Sequence, residues 1–331
     1  MCRVVGTVLH VAARDVPAPS SISPEAQAVL SLVPPVDMSF PAPEDTDAWR
    51  AYIASNDEMM LAGQSVRAAR VAADVEEIEI AGVPVFSITP HGTATDDRRV
   101  YVEIHGGGMI MGGGASCRAM GLNAIVRTGV RTIAVDFRMP PDHPFPTSLD
   151  DCVAVYRGLL DSHAPGQIVV GGISGGGNLA AATILRARDE GLPLPAAAVL
   201  LSPEVDLTES GDSFRTNLGV DVFLTGSLMA ANLLYAGGHD LSDPYVSPLF
   251  GDFSKGWPPT LLSAGTRDLF LSNAVRMHRA LRAVDVPAEL HILEAAPHTG
   301  FLGDTPEDLE LAREVRRFVA HHLSQPDLAR H

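Results

Sequence analysis

Lysine is almost missing from this sequence. Among 24 basic side chains in 331 residues, only Lys255 is a lysine. Forty Asp and Glu outnumber the bases, leaving a net charge of −16. Such a surface repels phosphate backbones and anionic headgroups, so nucleic acid and anionic membrane are excluded as partners. A solvated acidic surface is all that the charge itself requires. Cysteine is scarce as well: Cys2, Cys117 and Cys152 are odd in number and widely spaced, with no CxxC or Cys/His cluster. That argues against a disulfide framework or a metal site and fits a reducing, cytoplasmic setting. No apolar run is long enough to span a bilayer. The first thirteen residues carry Arg3 and are broken by His10, so they lack the clean core and cleavage site of a signal peptide. There is no internal repeat or low-complexity tract.

What is present is 46% hydrophobic sequence, enough to bury a large core. Residues 1–23 read as an arm. Ser23 and Pro24 open a short helix as N-cap and first helical residue, and Pro34-Pro35 stop it. Helical spacing runs from about Thr46 to Val71. These two helices precede any predicted strand. Glu77–Ile80 and Pro84–Thr89, around Gly82, read as a hairpin. Strands at Val100–Ile104, Thr132–Asp136, Ile168–Val170 and Ala197–Leu201 then alternate with helices at Cys117–Thr128, Ser148–Leu160 and Leu179–Leu185. Such alternation implies an α/β fold with a mostly parallel sheet covered on both faces. The pattern breaks over 206–240, where only Ser227–Tyr235 reads as a helix. It resumes with strands at Pro259–Ser263 and Ala288–Leu293 and helices at Ala274–Ala283 and Pro306–Leu323. The division expected is an arm with cap helices (1–72), a first part of the core (73–205), a cap insertion (206–240) and a second part of the core (241–331).

The chemistry gathers at strand ends. Gly172-Ile173-Ser174-Gly175-Gly176 has the form G-x-S-x-G between a strand and a helix, the pattern of a nucleophile elbow. A glycine-rich turn with an incidental serine is the plain alternative. His105-Gly106-Gly107-Gly108 follows the strand Val100–Ile104, 69 residues before the serine. Glycines there can turn N–H groups toward a ligand, and with the N–H of Gly175 they would hold an oxyanion. A serine hydroxyl needs an adjacent base, and the base an orienting acid. His298 lies just past the last predicted strand and Asp268 just past the strand before it. Ser174, Asp268 and His298 therefore come at strand ends in the order Ser, Asp, His. Asp206, Asp243 and Asp304 are competing carboxylates. His105 belongs to the glycine loop, and His321 and His322 read as surface residues.

With these motifs in view, the chain resembles the hormone-sensitive-lipase branch of the α/β-hydrolases, bacterial carboxylesterases with an HGGG motif. Further matching stretches are Phe137-Arg138-Met139-Pro140-Pro141-Asp142-His143-Pro144-Phe145-Pro146, Asp150-Asp151, Ser202-Pro203 with Val205-Asp206-Leu207-Thr208, and Asp243-Pro244 with Ser247-Pro248-Leu249. The resemblance covers about Ser23 to Leu323. It implies the α/β-hydrolase fold with a helical cap, serine hydrolysis of small to medium carboxylic esters, no cofactor, and a possible homodimer through a C-terminal edge strand and helix. The elbow departs from the family's usual residues at Ile173 and Gly176, and Phe137 replaces a tyrosine. The same triad would serve a lactone hydrolase, including one for terpene-type lactones, an amidase or a deacetylase. A non-catalytic small-molecule receptor on this fold is a further alternative, against which His298 argues. Ser174 excludes hydrolases with an aspartate nucleophile.

The cap should line the acyl or alcohol pocket. Trp49, Tyr52, Met59 and Met60 are its candidates from the first segment, and Phe214, Val222, Phe223 and Leu224 from the insertion. Ordinary core packing is the alternative for each.

Overall fold

Residues 3–31 and 38–323 are described by the structure, a computed structural model. Pro34-Pro35, expected to stop the first helix, and Cys2 lie outside them. The chain opens with a two-stranded antiparallel ribbon, β1 (Arg3–Val5) and β2 (Val8–His10). This corrects the expectation that no strand precedes the helices of residues 1–72. Gly6, at φ +61°, makes the turn between Arg3-Val4-Val5 and Val8-Leu9-His10. Helix α1 (Pro24–Val29) starts as its sequence requires: Ser23 Oγ accepts from the Ala26 N–H, and Pro24 occupies the first turn, where its missing N–H is not needed. Helix α2 (Thr46–Ala68) follows.

The main sheet has eight strands: β3 (Ala73–Ile80), β4 (Val83–Pro90), β5 (Val100–Ile104), β6 (Arg131–Val135), β7 (Ile168–Ile173), β8 (Ala197–Leu201), β9 (Thr260–Gly265) and β10 (Ala288–Leu293). Their order is β10-β9-β8-β7-β5-β6-β4-β3. Strands β5 to β10 pair in parallel, and β4 runs against both of its neighbours. The central strands read as continuous apolar runs because both of their faces are buried. Along β5, Val100, Val102 and Ile104 face one core, with Leu149, Val153 and Tyr156 of α4 (Thr147–Leu160) and Leu179 and Ile184 of α5 (Gly175–Asp189). Tyr101, between them in sequence, faces the other, with Val315, Phe318 and Val319 of α9 (Pro306–His322). Helix α3 (Ala115–Thr128) covers β4 and β6 on that second side.

Three pieces sit over the C-terminal strand ends. Asp57 of α2 accepts from the Gly112 N–H at 2.6 Å, which holds that helix against the glycine loop after β5. Ser23 donates from both N and Oγ to the Glu307 carboxylate, tying α1 to α9. Between β8 and β9 the chain carries α6 (Ser213–Thr216) and α7 (Met229–Ala236) and no strand. Helix α8 (Leu271–Arg282) fills the β9–β10 crossover.

Candidate active site

Ser174 occupies the single residue between β7 and α5, with φ +58° and ψ −124°. A non-glycine residue in that region costs about 1–3 kcal/mol unless its surroundings hold it there. They do: the Ser174 N–H donates to Leu201 O at 2.9 Å, and Ser174 O accepts from the N–H groups of Gly177 and Asn178. The turn is tight enough that a Cβ on Gly176 would lie 2.0 Å from Ile104 O. Gly176 is the closing glycine of G-x-S-x-G, so it is no departure from that pattern, and glycine there is a steric requirement.

Ser174 Oγ is 2.9 Å from His298 Nε2, and His298 Nδ1 is 3.1 Å from Asp268 Oδ1. All three are buried. The edge of Phe270 packs on the imidazole, with centroids 4.7 Å apart. Burial alone would push the imidazolium down. The charge and hydrogen bond of Asp268, with the charges of Asp221 and Glu204, outweigh it and raise His298 above its ordinary value. A hydroxyl on one imidazole nitrogen and a buried carboxylate on the other is an arrangement that can remove and return the serine proton. The competing carboxylates are elsewhere. Asp206 binds Thr208, Ser210 and Arg276, Asp243 accepts from the Tyr245 N–H, and Asp304 faces Arg70.

Beside the serine, Gly107 has φ +119°, and a Cβ there would lie 2.2 Å from Met111 O, so the loop needs glycine. The N–H groups of Gly106, Gly107 and Gly175 donate no hydrogen bond among the described residues. Gly175 opens α5, at the positive end of its dipole. Gly106 and Gly175 adjoin Ser174, and unpaired N–H donors are what an oxyanion there would need.

Two buried carboxyl groups escaped the sequence reading. Asp221 accepts from the N–H groups of Phe223, Leu224, Leu269 and His298, so it ties the insertion to the loops bearing Asp268 and His298. Burial, reinforced by the charge of Asp268, raises its pKa. Glu204 is fully buried beside Asn232, its carboxyl oxygens meet no hydrogen-bond partner of good geometry among the described residues, and burial pushes its pKa up to about 8. A lone acidic residue next to Pro203 carries no periodic or motif signal. For Asp221, the following Val222-Phe223 was the visible cue that the segment turns inward.

Ser174 and His298 open into a cavity of about 930 Å³. Tyr52, Met59, Met60, Phe223 and Leu224 line it as expected. Trp49, Phe214 and Val222 do not. Trp49 is wholly buried, stacked on Phe40 with Nε1 bonded to Ala42 O. Phe214 packs on Phe270 and Leu228, and Val222 on the cluster of Ile22, Ala26 and Phe301. For these three, core packing is the role found.

The fold also gathers His105, Cys117 and Asp136, with one potential ligand atom of each within 4.8 Å of the others. Sequence spacing conceals this group. His105 Nδ1 bonds Gly106 O, Asp136 Oδ1 accepts from the Gly114 N–H, and burial pushes the Cys117 thiol well up, away from the thiolate a metal requires. Among the described residues no helix is long and apolar enough to cross a membrane.

An α/β sheet with a serine on a strained strand-to-helix turn defines a class of protein, and known proteins bear on which one. A family profile described as the alpha/beta hydrolase fold matches residues 101–302. The crystal structure of an esterase E25 superposes with a TM-score of 0.86 at 36% identity, over 95% of this chain and 99% of that one. An esterase from the bacterial hormone-sensitive lipase family superposes at 0.80 with 30% identity, over 91% and 99%. An esterase of Acinetobacter venetianus RAG-1 is 33% identical over 215 residues, 64% of this chain and 70% of that protein. The chain belongs to the α/β-hydrolase family, in its hormone-sensitive-lipase-like branch.

Proposed function

We propose that the protein is a serine carboxylesterase that hydrolyses small to medium carboxylic esters through an acyl-enzyme on Ser174. The observation that carries the reading is the unbroken hydrogen-bonded path from Ser174 Oγ through His298 to Asp268. Ser174 Oγ attacks the ester carbonyl while His298 Nε2 takes its proton. Asp268 fixes the imidazole tautomer and stabilises its charged form. The N–H groups of Gly106, Gly107 and Gly175 take the oxyanion. When the tetrahedral adduct collapses, the alcohol leaves with the proton from His298. Water, deprotonated by His298, then attacks the acyl-enzyme and frees the acid, returning Ser174 Oγ to the protonated state. In this reading residues 1–72 and 206–240 form the cap, and Tyr52, Met59, Met60, Phe223 and Leu224 contact substrate. Relatives named esterase favour an ester over the lactone alternative. A cytoplasmic location and a homodimer through the outer edge of β10 complete the proposal, supported by two buried free cysteines and by the position of β10 at the end of the sheet.

The test is Ser174→Ala. It should retain the folded state and lower kcat on a chromogenic ester by about 10⁴-fold or more. A serine-directed organophosphate should add its mass to Ser174 in the unmodified chain and to nothing in the variant. Near-normal turnover by the variant overturns the mechanism.

A further inference from the structure

The cavity changes character along its length. Toward the insertion its wall is apolar, with Phe40, Met60, Ile110, Leu224 and Leu228. Toward the C-terminal half of α2, α3 and the start of α9, Gln64, Arg67, Glu103, Asn123 and Arg127 stand in it among apolar side chains such as Val315. Esters of short acids and simple alcohols need no such groups, and polar side chains in a closed site are costly unless something bonds to them.

These groups form two hydrogen-bonded sets. Gln64 Oε1 accepts from Arg67 Nη2 at 3.0 Å and from Asn123 Nδ2 at 2.7 Å. Arg127 Nη2 donates to Glu103 Oε1, a carboxylate that is 1% exposed. Arg67 differs from Arg127 in having no carboxylate hydrogen-bonded to it among the described residues. Arg127 repels it, and the carboxylates nearest it are otherwise engaged. Asp308 accepts from the N–H groups of Phe301 and Gly303 and from Thr305 Oγ1, and Asp304 is exposed and faces Arg70. Arg67 Nη1 makes no hydrogen bond among the described residues. Nη1 lies close against Gly303, where φ is +89° and a Cβ would be 1.8 Å from it. A half-buried guanidinium, its Nε buried without a partner and its Nη2 held by one neutral amide, in the wall of the substrate cavity, is a site for an oxygen acceptor.

We infer that the α2–α3–α9 end of the cavity is a specificity subsite in which Arg67 binds an oxygen function, hydroxyl or carboxylate, at the far end of one arm of the ester. The inference rests on the esterase reading of the Ser174 site. An unsubstituted chain of the same length would bury the guanidinium against hydrocarbon and leave it unpaired. Arg127, neutralised by Glu103, and the Gln64–Asn123 amides shape the floor around the bound group.

The experiment compares matched substrates that differ only at the chain terminus: methyl octanoate, methyl 8-hydroxyoctanoate and monomethyl octanedioate for the acid arm, and the acetates of octanol and 1,8-octanediol for the alcohol arm. The unmodified enzyme should favour an oxygenated member over its alkyl counterpart by about tenfold or more in kcat/KM, the scale of a charge-assisted hydrogen bond. The hydroxyl and carboxylate arms identify which function is taken. In Arg67→Met the ratio should fall to about one, and Arg67→Lys should keep part of it. A second measurement needs no turnover. In Ser174→Ala, calorimetry should show octanedioate or 8-hydroxyoctanoate binding more tightly than octanoate, and the difference should vanish when Arg67→Met is added. Equal ratios with and without Arg67, or a preference for the plain alkyl chain, overturn the subsite. Absence of hydrolysis on every ester with the binding preference intact would instead refute the esterase reading and leave the subsite standing.

Discussion

Replacing Gly176 with alanine tests whether the packing of α5 against the end of β5 sets the reaction geometry. The added Cβ would meet Ile104 O at 2.0 Å and His105 O at 2.5 Å, and both obstacles are backbone. Ordinary contact begins near 3.4 Å, so strand end and helix must separate by about 1.4 Å. Overpacking of this kind costs about 1–3 kcal/mol. In a chain this long that is a fall in Tm of a few degrees. The effect on rate should be larger. One side of the gap leads directly into the Gly106 and Gly107 N–H groups, and the other carries Ser174 two residues earlier. Misplacement of reacting groups by about an ångström costs about 10²-fold, and the loss of one oxyanion donor about 10²–10³-fold. Gly176→Ala should therefore lose at least about 100-fold in kcat on a p-nitrophenyl ester while still unfolding cooperatively a few degrees early. Steady-state kinetics and a thermal melt on the same preparation measure both. Wild-type kcat in a stably folded variant would refute the claim that this contact fixes the distance between nucleophile and glycine loop.

Asp268→Asn should lower kcat by about 10⁴-fold with little change in KM, because the imidazole is then held in the wrong tautomer; retained kcat would remove Asp268 from the role of acid. Glu204→Gln should act through pH. Glu204 titrates at about 8 in the folded chain against an ordinary 4.5, so its contribution to stability is fully present below 4.5 and is lost as pH rises through 8. The variant's Tm should therefore gain on the unmodified protein between pH 5 and pH 9. A variant whose Tm follows the same pH profile as the unmodified protein would refute this.

The catalytic candidates were legible because each is announced locally. Ser174, Asp268 and His298 stand within a few residues of a strand whose apolar run is visible, and glycines mark the turns around the first. Element ends were legible only to within a few residues: α8 begins at Leu271 instead of Ala274. Asp268 Oδ1 accepts from the Phe270 N–H there, a side-chain turn that carries the chain straight into the helix. The roles of Asp221 and Glu204 were not legible because burial gives them their properties. Asp221 meets the His298 N–H from 77 positions away in sequence. The pocket candidates divided for a similar reason. Trp49 and Tyr52 both belong to the apolar side of α2, and helical spacing cannot say which of them faces Phe40 and the chain at Ala42 and which faces the cavity. The β1–β2 ribbon was missed although Gly6 between Arg3-Val4-Val5 and Val8-Leu9-His10 is a hairpin signal; the strands are only three residues each, too short for alternation to show.

The hydrogen bonds of the insertion have a consequence for how specificity and catalysis are linked. Asn217 donates to Asp268 O and Thr266 O, and Asp221 accepts from the N–H groups of Leu269 and His298. The next residues, Phe223 and Leu224, line the cavity, and their own N–H groups are held by the same Asp221 carboxylate. Phe223 also packs with Ile22 and Ala26 of the N-terminal segment and with Phe301 beyond the histidine loop. One short stretch thus lines the cavity and fixes the backbone that carries Asp268 and His298, the proposed acid and base. Residues coupled through a shared partner do not contribute independently. A change at Phe223 should therefore alter kcat along with chain preference, whereas a change at Met60, which lies on α2 away from this carboxylate, should alter preference with a smaller effect on kcat.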